Sequence, residues 1–268
     1  MDYCTLIAIF CIFLLLILIR KANQSSKAIY YLKHIYYYGL TSICAFLWIP
    51  YFALRAKDTM NLLTAATILG PISKVISMKW ELRGKEYLSK NKTVIMIANH
   101  QSSLAIWHVM GRTTVIAKKE IFYVWPFGLA AWLCGLIFIN KQSATESKSI
   151  MYDAMERLKR ENIKLWVFPE GTRRNTNEIH KFKKGAFHLA IQTKTPIMPI
   201  VYSSYQTFLN DNEKILKPGE VIIEALPEIN TENYTTDKID ELIDKTRNVM
   251  IEVFNRNSLE IKNRMQCS

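Results

Sequence analysis

The stretch Thr93-Val94-Ile95-Met96-Ile97-Ala98-Asn99-His100 joins a β-branched, apolar run to a polar end. Such a run is typical of a strand that is buried on both faces, as in a parallel sheet. Functional side chains of α/β proteins gather where parallel strands end at their carboxyl termini. The stretch therefore predicts a buried strand over residues 93–98 and a reactive position at His100.

The rest of the chain from Lys79 onward alternates between strand-like and helix-like segments. Further strands are predicted at 113–117, 136–139, 165–168, 197–202 and 220–225, and helices at 102–110, 145–161, 185–192 and from about 236. Continuous apolar strands that alternate with helices indicate an α/β fold with a mainly parallel mixed sheet flanked by helices. We assign this domain to residues 79–268.

The amino-terminal segment has a different character and predicts a membrane anchor over residues 1–20. Tyr3 to Ile19 is an uncharged apolar run of 17 residues that Arg20 and Lys21 close. A helix of that length approaches the ~20 residues that a bilayer requires. A cleaved signal peptide is the alternative, but Asp2 and the lack of a small-x-small site favour an uncleaved anchor.

Residues 21–78, which we name the collar, are predicted to form membrane-embedded or interfacial helices. An apolar run from Tyr36 to Leu54 has aromatic residues at both ends, and Pro50 is expected to kink it. The run either spans the bilayer, re-enters it or lies along its surface. A weaker amphipathic stretch over 60–78 is interrupted by Gly70-Pro71. Together with the anchor, the collar predicts an integral membrane protein.

The charge balance favours anionic partners. Lys and Arg outnumber Asp and Glu by 35 to 23, a net charge of +12, and five basic residues lie between positions 173 and 184. Phosphate headgroups or an anionic leaflet fit this sign. The predicted anchor and the lack of a basic-aromatic motif argue against nucleic acid. The five cysteines have no metal-ligand spacing, so no metal site is predicted.

Two motifs carry the predicted chemistry. The first is Asn99-His100-Gln101-Ser102-Ser103-Leu104-Ala105, and the second, about seventy residues on, is Phe168-Pro169-Glu170-Gly171-Thr172-Arg173. Histidine suits base catalysis because its ordinary pKa lies near physiological pH. Gly171 permits a turn whose backbone amides approach an oxyanion, and Arg173 offers a planar fork that matches phosphate.

In this order and spacing, the motifs resemble the glycerolipid acyltransferase family, most closely its lysophosphatidic acid acyltransferases. The resemblance implies that His100 is the general base and that Glu170, Gly171, Thr172 and Arg173 hold the acceptor phosphate. It also implies transfer from acyl-CoA to the sn-2 hydroxyl of lysophosphatidic acid, with CoA as substrate and no bound cofactor. Such an enzyme is expected in the bilayer of the endoplasmic reticulum, because its lipid substrates reside in membranes.

Three weaker matches extend the resemblance. Lys183 or Lys184 is expected to add charge to the phosphate site, with exposed lysines at a helix start as the alternative. A stretch that ends at Lys141 is similar to the family's second motif, but lysine keeps the charge there and loses the fork of arginine. The strand bracketed by Pro196 and Pro199 resembles a motif assigned to the acyl donor; a plain strand is the alternative.

One residue departs from the family pattern. The fifth position after His100 holds Ala105 where the family has an aspartate. Loss of the orienting carboxylate in a Ser-His-Asp triad lowers turnover by roughly 10⁴, and the sequence holds no acid between Glu86 and Glu120. We therefore predict a disabled enzyme, either silenced by a substitution or a natural non-catalytic relative.

Two other functions remain open at this point. A non-catalytic protein would bind lipid or acyl-CoA at the membrane without turning it over. An active enzyme could instead take glycerol 3-phosphate or another lysophospholipid as its acceptor.

Overall fold

The computed structural model describes residues 27–75, 77–101, 111–140 and 143–266. Several predictions fall outside these residues: the anchor over 1–20, the helix over 102–110, Ala105 and Lys141.

Seven of the described strands form one sheet, and two form a separate hairpin. The strands are β1 Met78–Arg83, β2 Ile95–Ala98, β3 Thr113–Lys118, β4 Ile137–Ile139, β5 Lys164–Val167, β6 Ile197–Tyr202, β7 Leu209–Asn210, β8 Ile215–Leu216 and β9 Gly219–Ala225. The sheet has the order β1-β9-β6-β2-β5-β3-β4, while β7 pairs with β8. All neighbours in the sheet run parallel except β6 and β9. The prediction of a mainly parallel mixed sheet is confirmed.

Helices cover the sheet and form the collar. They are α1 Lys27–Ala53, α2 Thr59–Val75, α3 Lys85–Leu88, α4 Lys119–Phe122, α5 Phe127–Leu133, α6 Ala144–Arg160, α7 Gly185–Gln192 and α8 Ile239–Gln266, the last preceded by a 3₁₀ turn over Thr236–Lys238. The three long helices of the domain begin within a few residues of their predicted starts. At α6 the start is capped, because the Ser143 hydroxyl accepts a hydrogen bond from the amide of Glu146.

The central strand β2 explains why its sequence is apolar throughout. All four of its residues are buried, and alternate side chains enter two different clusters. Met96 and Ala98 pack with β6, β9 and the hairpin, whereas Ile95 and Ile97 pack with α6, α7 and α8. Burial of each isoleucine contributes about 1.5–3 kcal/mol, so a polar residue on either face would be costly.

The collar helices rest directly on the sheet and the hairpin. The Tyr30 hydroxyl of α1 donates to Asp211 Oδ1 at 2.9 Å, and the buried Lys33 ammonium donates to the Leu216 carbonyl at 2.8 Å. The predicted interruption at Gly70-Pro71 is wrong, since α2 continues through Pro71 to Val75. Proline removes one helical hydrogen bond, and packing of α2 on β1 and β3 supports the helix there.

Within the described ranges, none of the helices is sufficiently long and apolar to cross a bilayer.

Candidate active site at the carboxyl edge of the sheet

The two motifs meet because their strands are neighbours. Strands β2 and β5 run parallel, with Ile95 opposite Leu165 and Ile97 opposite Val167. The segment Asn99–Gln101 and the segment Phe168–Arg173 therefore leave the sheet at the same edge. This is the edge at which α/β proteins bind their ligands.

Both backbone groups of His100 are bonded to the loop after β5, one to the second motif and one to the residue directly after it. Its amide donates to Glu170 Oε1 at 2.7 Å, and its carbonyl accepts from the amide of Arg174 at 3.0 Å. A hydrogen bond from a backbone amide to a carboxylate is of the stronger, charge-assisted kind. Residues about seventy positions apart thus form one structural unit.

The residues on either side of His100 are bonded to β6, which lies on the other side of β2, and to the loop that follows β6. The buried Asn99 side chain donates to the Tyr202 carbonyl at 2.9 Å and accepts from the Tyr202 amide at 2.8 Å. The Gln101 side-chain carbonyl accepts from the amide of Tyr205 at 3.3 Å. The turn that carries His100 is therefore bonded to β6 as well as to the loop after β5.

The imidazole of His100 lies against an aromatic ring of the second motif. The ring centroids of His100 and Phe168 are 3.9 Å apart, and the two planes differ by 17°. The sequence indicates no role for Phe168, whose one signal is its place at the start of the second motif.

Glu170 is engaged with the protein backbone. Its second carboxylate oxygen accepts from the amide of His180 at 3.3 Å, in addition to the bond with His100. Burial raises the pKa of Glu170, and the two amides oppose that rise. Because both oxygens accept protein hydrogen bonds, and a carboxylate repels phosphate, this geometry fits a positioning role. The implied contact between Glu170 and the acceptor phosphate stays a prediction.

The remainder of the second motif forms an open cationic turn. Gly171 has φ of +71°, and a Cβ at this position would come within 3.0 Å of the Lys183 Nζ atom. The missing side chain thus leaves room for the Lys183 ammonium over the turn. Thr172 and Arg173 are exposed next to it. These groups suit an anionic ligand that approaches from solvent.

Lys184 points to a different partner. Its ammonium donates to Asp240 Oδ2 at 2.8 Å near the start of α8. Of the two predicted lysines, only Lys183 therefore lies at the Gly171 turn.

The two proline positions lie before and within β6, beside the central strand β2. Pro196 precedes the amino end of β6, and its carbonyl accepts from the amide of Ile95. Pro199 lies within β6 opposite Ile97. Since β6 runs parallel to β2, Pro196 is at the opposite edge of the sheet from His100. The acyl-donor role of these prolines stays a prediction.

His180 is a residue of the site that the sequence did not indicate. Its Nε2 atom lies 2.7 Å from the Thr176 hydroxyl, and its Nδ1 atom lies 3.3 Å from the Arg174 guanidinium. Arg174 and Thr176 also line a polar recess, together with Asn175, Gln206 and the β7–β8 turn. The recess adjoins His100 through the bond between the Arg174 amide and the His100 carbonyl. Its link to the site is set by tertiary folding, which local sequence signals do not report.

The chain is similar to known acyltransferases. The sequence model of a family described as Acyltransferase matches residues 79–203. Human 1-acyl-sn-glycerol-3-phosphate acyltransferase alpha is 36% identical over 234 residues, which cover 86% of this chain and 83% of the human protein. The 1-acyl-sn-glycerol-3-phosphate acyltransferase of Saccharomyces cerevisiae is 39% identical over 197 residues, which cover 71% of this chain and 64% of the yeast protein.

A solved structure shares the fold. The crystal structure of the 1-acyl-sn-glycerophosphate (LPA) acyltransferase PlsC from Thermotoga maritima superposes with a TM-score of 0.67 and 19% sequence identity. The match covers 86% of this chain and 97% of the Thermotoga chain.

Proposed function

This chain belongs to the 1-acyl-sn-glycerol-3-phosphate acyltransferase family, and we propose that its reaction is acyl transfer from acyl-CoA to the sn-2 hydroxyl of lysophosphatidic acid. The product is phosphatidic acid, a step of phospholipid synthesis. The observation that carries the proposal is the pair of hydrogen bonds that join His100 to Glu170 of the second motif and to Arg174 directly after it. They bring the His100 turn beside a cationic turn, and the proposed substrate offers a hydroxyl close to a phosphate.

In the proposed mechanism, His100 acts as general base. Its ring accepts the hydroxyl proton while the hydroxyl oxygen attacks the thioester carbonyl carbon. The tetrahedral oxyanion then collapses, the carbon–sulfur bond breaks, and the departing CoA thiolate takes the proton from the imidazolium. Each proton transfer is worth typically 10²–10⁴-fold in rate when the base is well positioned.

The acceptor phosphate is proposed to bind at the Gly171 turn. The Lys183 ammonium lies over this turn, and the exposed Arg173 guanidinium is free to provide a bidentate contact. Contacts at this point hold the glycerol backbone so that its hydroxyl is within reach of His100. Positioning of this kind converts a bimolecular encounter into a far more probable intramolecular step.

Ala105 supports a second candidate, a non-catalytic sensor of lipid or acyl-CoA. An alanine cannot accept a hydrogen bond from the imidazole or stabilise the imidazolium. The chain as it stands is therefore proposed to bind its substrates and to turn them over poorly. The resemblance of the other motifs favours an enzyme whose chemistry a carboxylate at position 105 would restore.

The bilayer is the proposed location of the substrates and of the collar. The outer face of α1 exposes large apolar side chains, among them Ile35 at 68% and Leu47 at 65%, and the 123–127 turn exposes Trp125 at 67%. The rings of Phe46 and Trp125, 5.5 Å apart, join the two surfaces. Contiguous exposed apolar side chains mark membrane or protein contacts. Together with the anchor predicted over 1–20, they support the proposed attachment to a membrane such as the endoplasmic reticulum.

The test is an acyl-transfer assay with labelled acyl-CoA and lysophosphatidic acid in detergent micelles. We compare the parent chain with Ala105→Asp, with Ala105→Asp/His100→Ala, and with Ala105→Asp/His188→Ala as a matched control on α7. Activity in Ala105→Asp that disappears with His100→Ala and survives His188→Ala would support the enzyme. Substrate binding without turnover in every variant would instead support the sensor. Glycerol 3-phosphate and other lysophospholipids are offered in parallel to establish the acceptor.

A further inference from the structure

The contact between His100 and Phe168 is unusual for two neutral aromatic rings. Such pairs prefer edge-to-face or offset arrangements with centroids about 4.5–7 Å apart. Here the rings are nearly parallel, at 17°, and their centroids are 3.9 Å apart. The face of an aromatic ring carries negative potential, which attracts a cation placed over it. The arrangement therefore suits a protonated imidazole better than a neutral one.

We propose that Phe168 is a positioning residue for His100, whose ring face fixes the imidazole plane and stabilises the imidazolium. The catalytic part of this inference rests on the proposed role of His100 as general base. The effect of Phe168 on the protonation of His100 does not rest on that role, because the contact between the two rings is independent of catalysis.

Phe168 is itself held in place by the core. Trp166 lies two residues earlier, on the same side of the chain as it leaves β5, and its ring centroid is 6.0 Å from that of Phe168. Trp166 is fully buried, and its ring centroid is 6.2 Å from that of Tyr202 in β6. A column of aromatic rings thus runs from the centre of the sheet to His100. Movement of the Phe168 ring away from the imidazole would disturb a close-packed core.

Ala105 makes this contact more important here than in a chain with the family's aspartate. In a triad, the carboxylate both orients the imidazole and stabilises its charge. Position 105 of this chain offers neither effect, whereas the stacked ring offers both in weaker form.

The test measures protonation of His100 directly, and it does not require turnover. The chain has five histidines, so the His100 signal in a histidine-labelled NMR spectrum is assigned by its loss in His100→Gln. Titration then compares the parent with Phe168→Leu, Phe168→Tyr and Phe254→Leu. Phe254 is a buried phenylalanine of α8 in the cluster on the other face of the sheet, and it serves as a matched control for lost packing.

We expect Phe168→Leu to lower the titration midpoint of His100 by roughly half to one pH unit, since a cation loses an aromatic face. Phe168→Tyr keeps the aromatic ring and is expected to keep the titration midpoint of His100. Phe254→Leu is expected to leave that midpoint unchanged. Among the described residues, the loop that contacts His100 carries eight titratable or charged groups: Glu170, Arg173, Arg174, Glu178, His180, Lys181, Lys183 and Lys184. They are the same in all four proteins, so their effects cancel. An unchanged midpoint in Phe168→Leu, or an equal shift in Phe254→Leu, would overturn the proposal.

Kinetics in the Ala105→Asp background separate this inference from the proposed function. In that background we expect Phe168→Leu to lower kcat roughly ten- to a hundredfold while KM for lysophosphatidic acid stays unchanged. Phe168→Tyr is expected to retain the kcat of the Ala105→Asp protein. If the midpoint shifts but no variant transfers acyl groups, the proposed function fails and the stacking role stands. If transfer occurs and Phe168→Leu matches Phe254→Leu in both midpoint and kcat, the stacking role fails alone.

Discussion

The turn that carries His100 and the turn that carries Arg173 lie side by side, yet they are held very differently. His100 has both backbone groups bonded and its ring stacked, and its neighbours Asn99 and Gln101 are bonded to β6 and the loop after it. Thr172 and Arg173 are exposed at the edge of a glycine turn. A base must be pre-oriented for proton transfer, whereas a phosphate clamp can close on its ligand. We therefore propose that the chemical step belongs to the His100 turn and that phosphate binding belongs to the Arg173 turn.

Glu170→Ala tests the rigid turn and should have the largest effect. The variant leaves the amides of His100 and His180 without their carboxylate acceptor, so the imidazole loses its orientation. In the Ala105→Asp background we expect kcat to fall roughly 10²-fold or more, with a much smaller change in KM. Steady-state kinetics against lysophosphatidic acid measure both. A rise in KM at constant kcat would assign Glu170 to the phosphate site and contradict the division.

Arg173→Lys tests the open turn in the same background. Lysine keeps the charge but cannot form two parallel hydrogen bonds to one phosphate. We expect KM for lysophosphatidic acid to rise about tenfold while kcat changes little. Lys181→Arg serves as the control for a conservative change at an exposed cation of the same loop. A fall in kcat with constant KM would place Arg173 in the chemical step.

The pair of lysines gives a finer comparison. Lys183 lies over the Gly171 turn, whereas Lys184 forms an exposed ion pair with Asp240. We expect Lys183→Ala to raise KM for lysophosphatidic acid several-fold, because it removes a cation next to the proposed phosphate site at the Gly171 turn. Lys184→Ala should change KM less than twofold, since exposed ion pairs contribute little. KM is measured by varying the concentration of lysophosphatidic acid. Equal changes in KM for the two variants would contradict the different roles assigned to Lys183 and Lys184.

The pH dependence of stability should show the burial of Glu170. Its folded-state pKa is raised by burial, so folding disfavours the ionised form. The contribution of this group to stability is fully present below the ordinary glutamate pKa and is lost as pH rises through the raised value. Glu170→Gln cannot titrate and lacks this slope. Denaturant unfolding of both proteins from acid to neutral pH measures it, and parallel stability curves would show that burial has no such effect.

The sequence predicted the parts of the fold that depend on local pattern. The apolar run of β2, the amphipathic helices α6 and α8, and the turn at Gly171 follow from periodicity and from a residue that tolerates positive φ. The strand β1 was missed, although Met78–Arg83 alternates between apolar and polar residues, which is a strand signal. Its partner β9 lies far along the chain, so the pairing itself has no local sign.

The site was predictable in its members and less so in their roles. The two motifs were expected to meet, and the bonds between His100 and the Glu170–Arg174 segment join them. The family resemblance implied that Glu170 binds the acceptor phosphate, whereas in the fold its carboxylate accepts hydrogen bonds from two backbone amides. His180 and Phe168 gain their contacts only when the loop after β5 folds over the end of β2. Backbone hydrogen bonds and ring stacking across a sheet edge leave no spacing pattern in the sequence.

The most direct test asks whether the two turns serve one reaction. It compares kcat/KM for lysophosphatidic acid and for the matching monoacylglycerol, which lacks the phosphate, in Ala105→Asp and its His100→Ala and Arg173→Ala derivatives. One shared site predicts that His100→Ala abolishes transfer to both acceptors. Arg173→Ala should lower kcat/KM for lysophosphatidic acid alone, by roughly 10²-fold. Transfer that survives His100→Ala, or an equal loss for both acceptors in Arg173→Ala, would contradict the account.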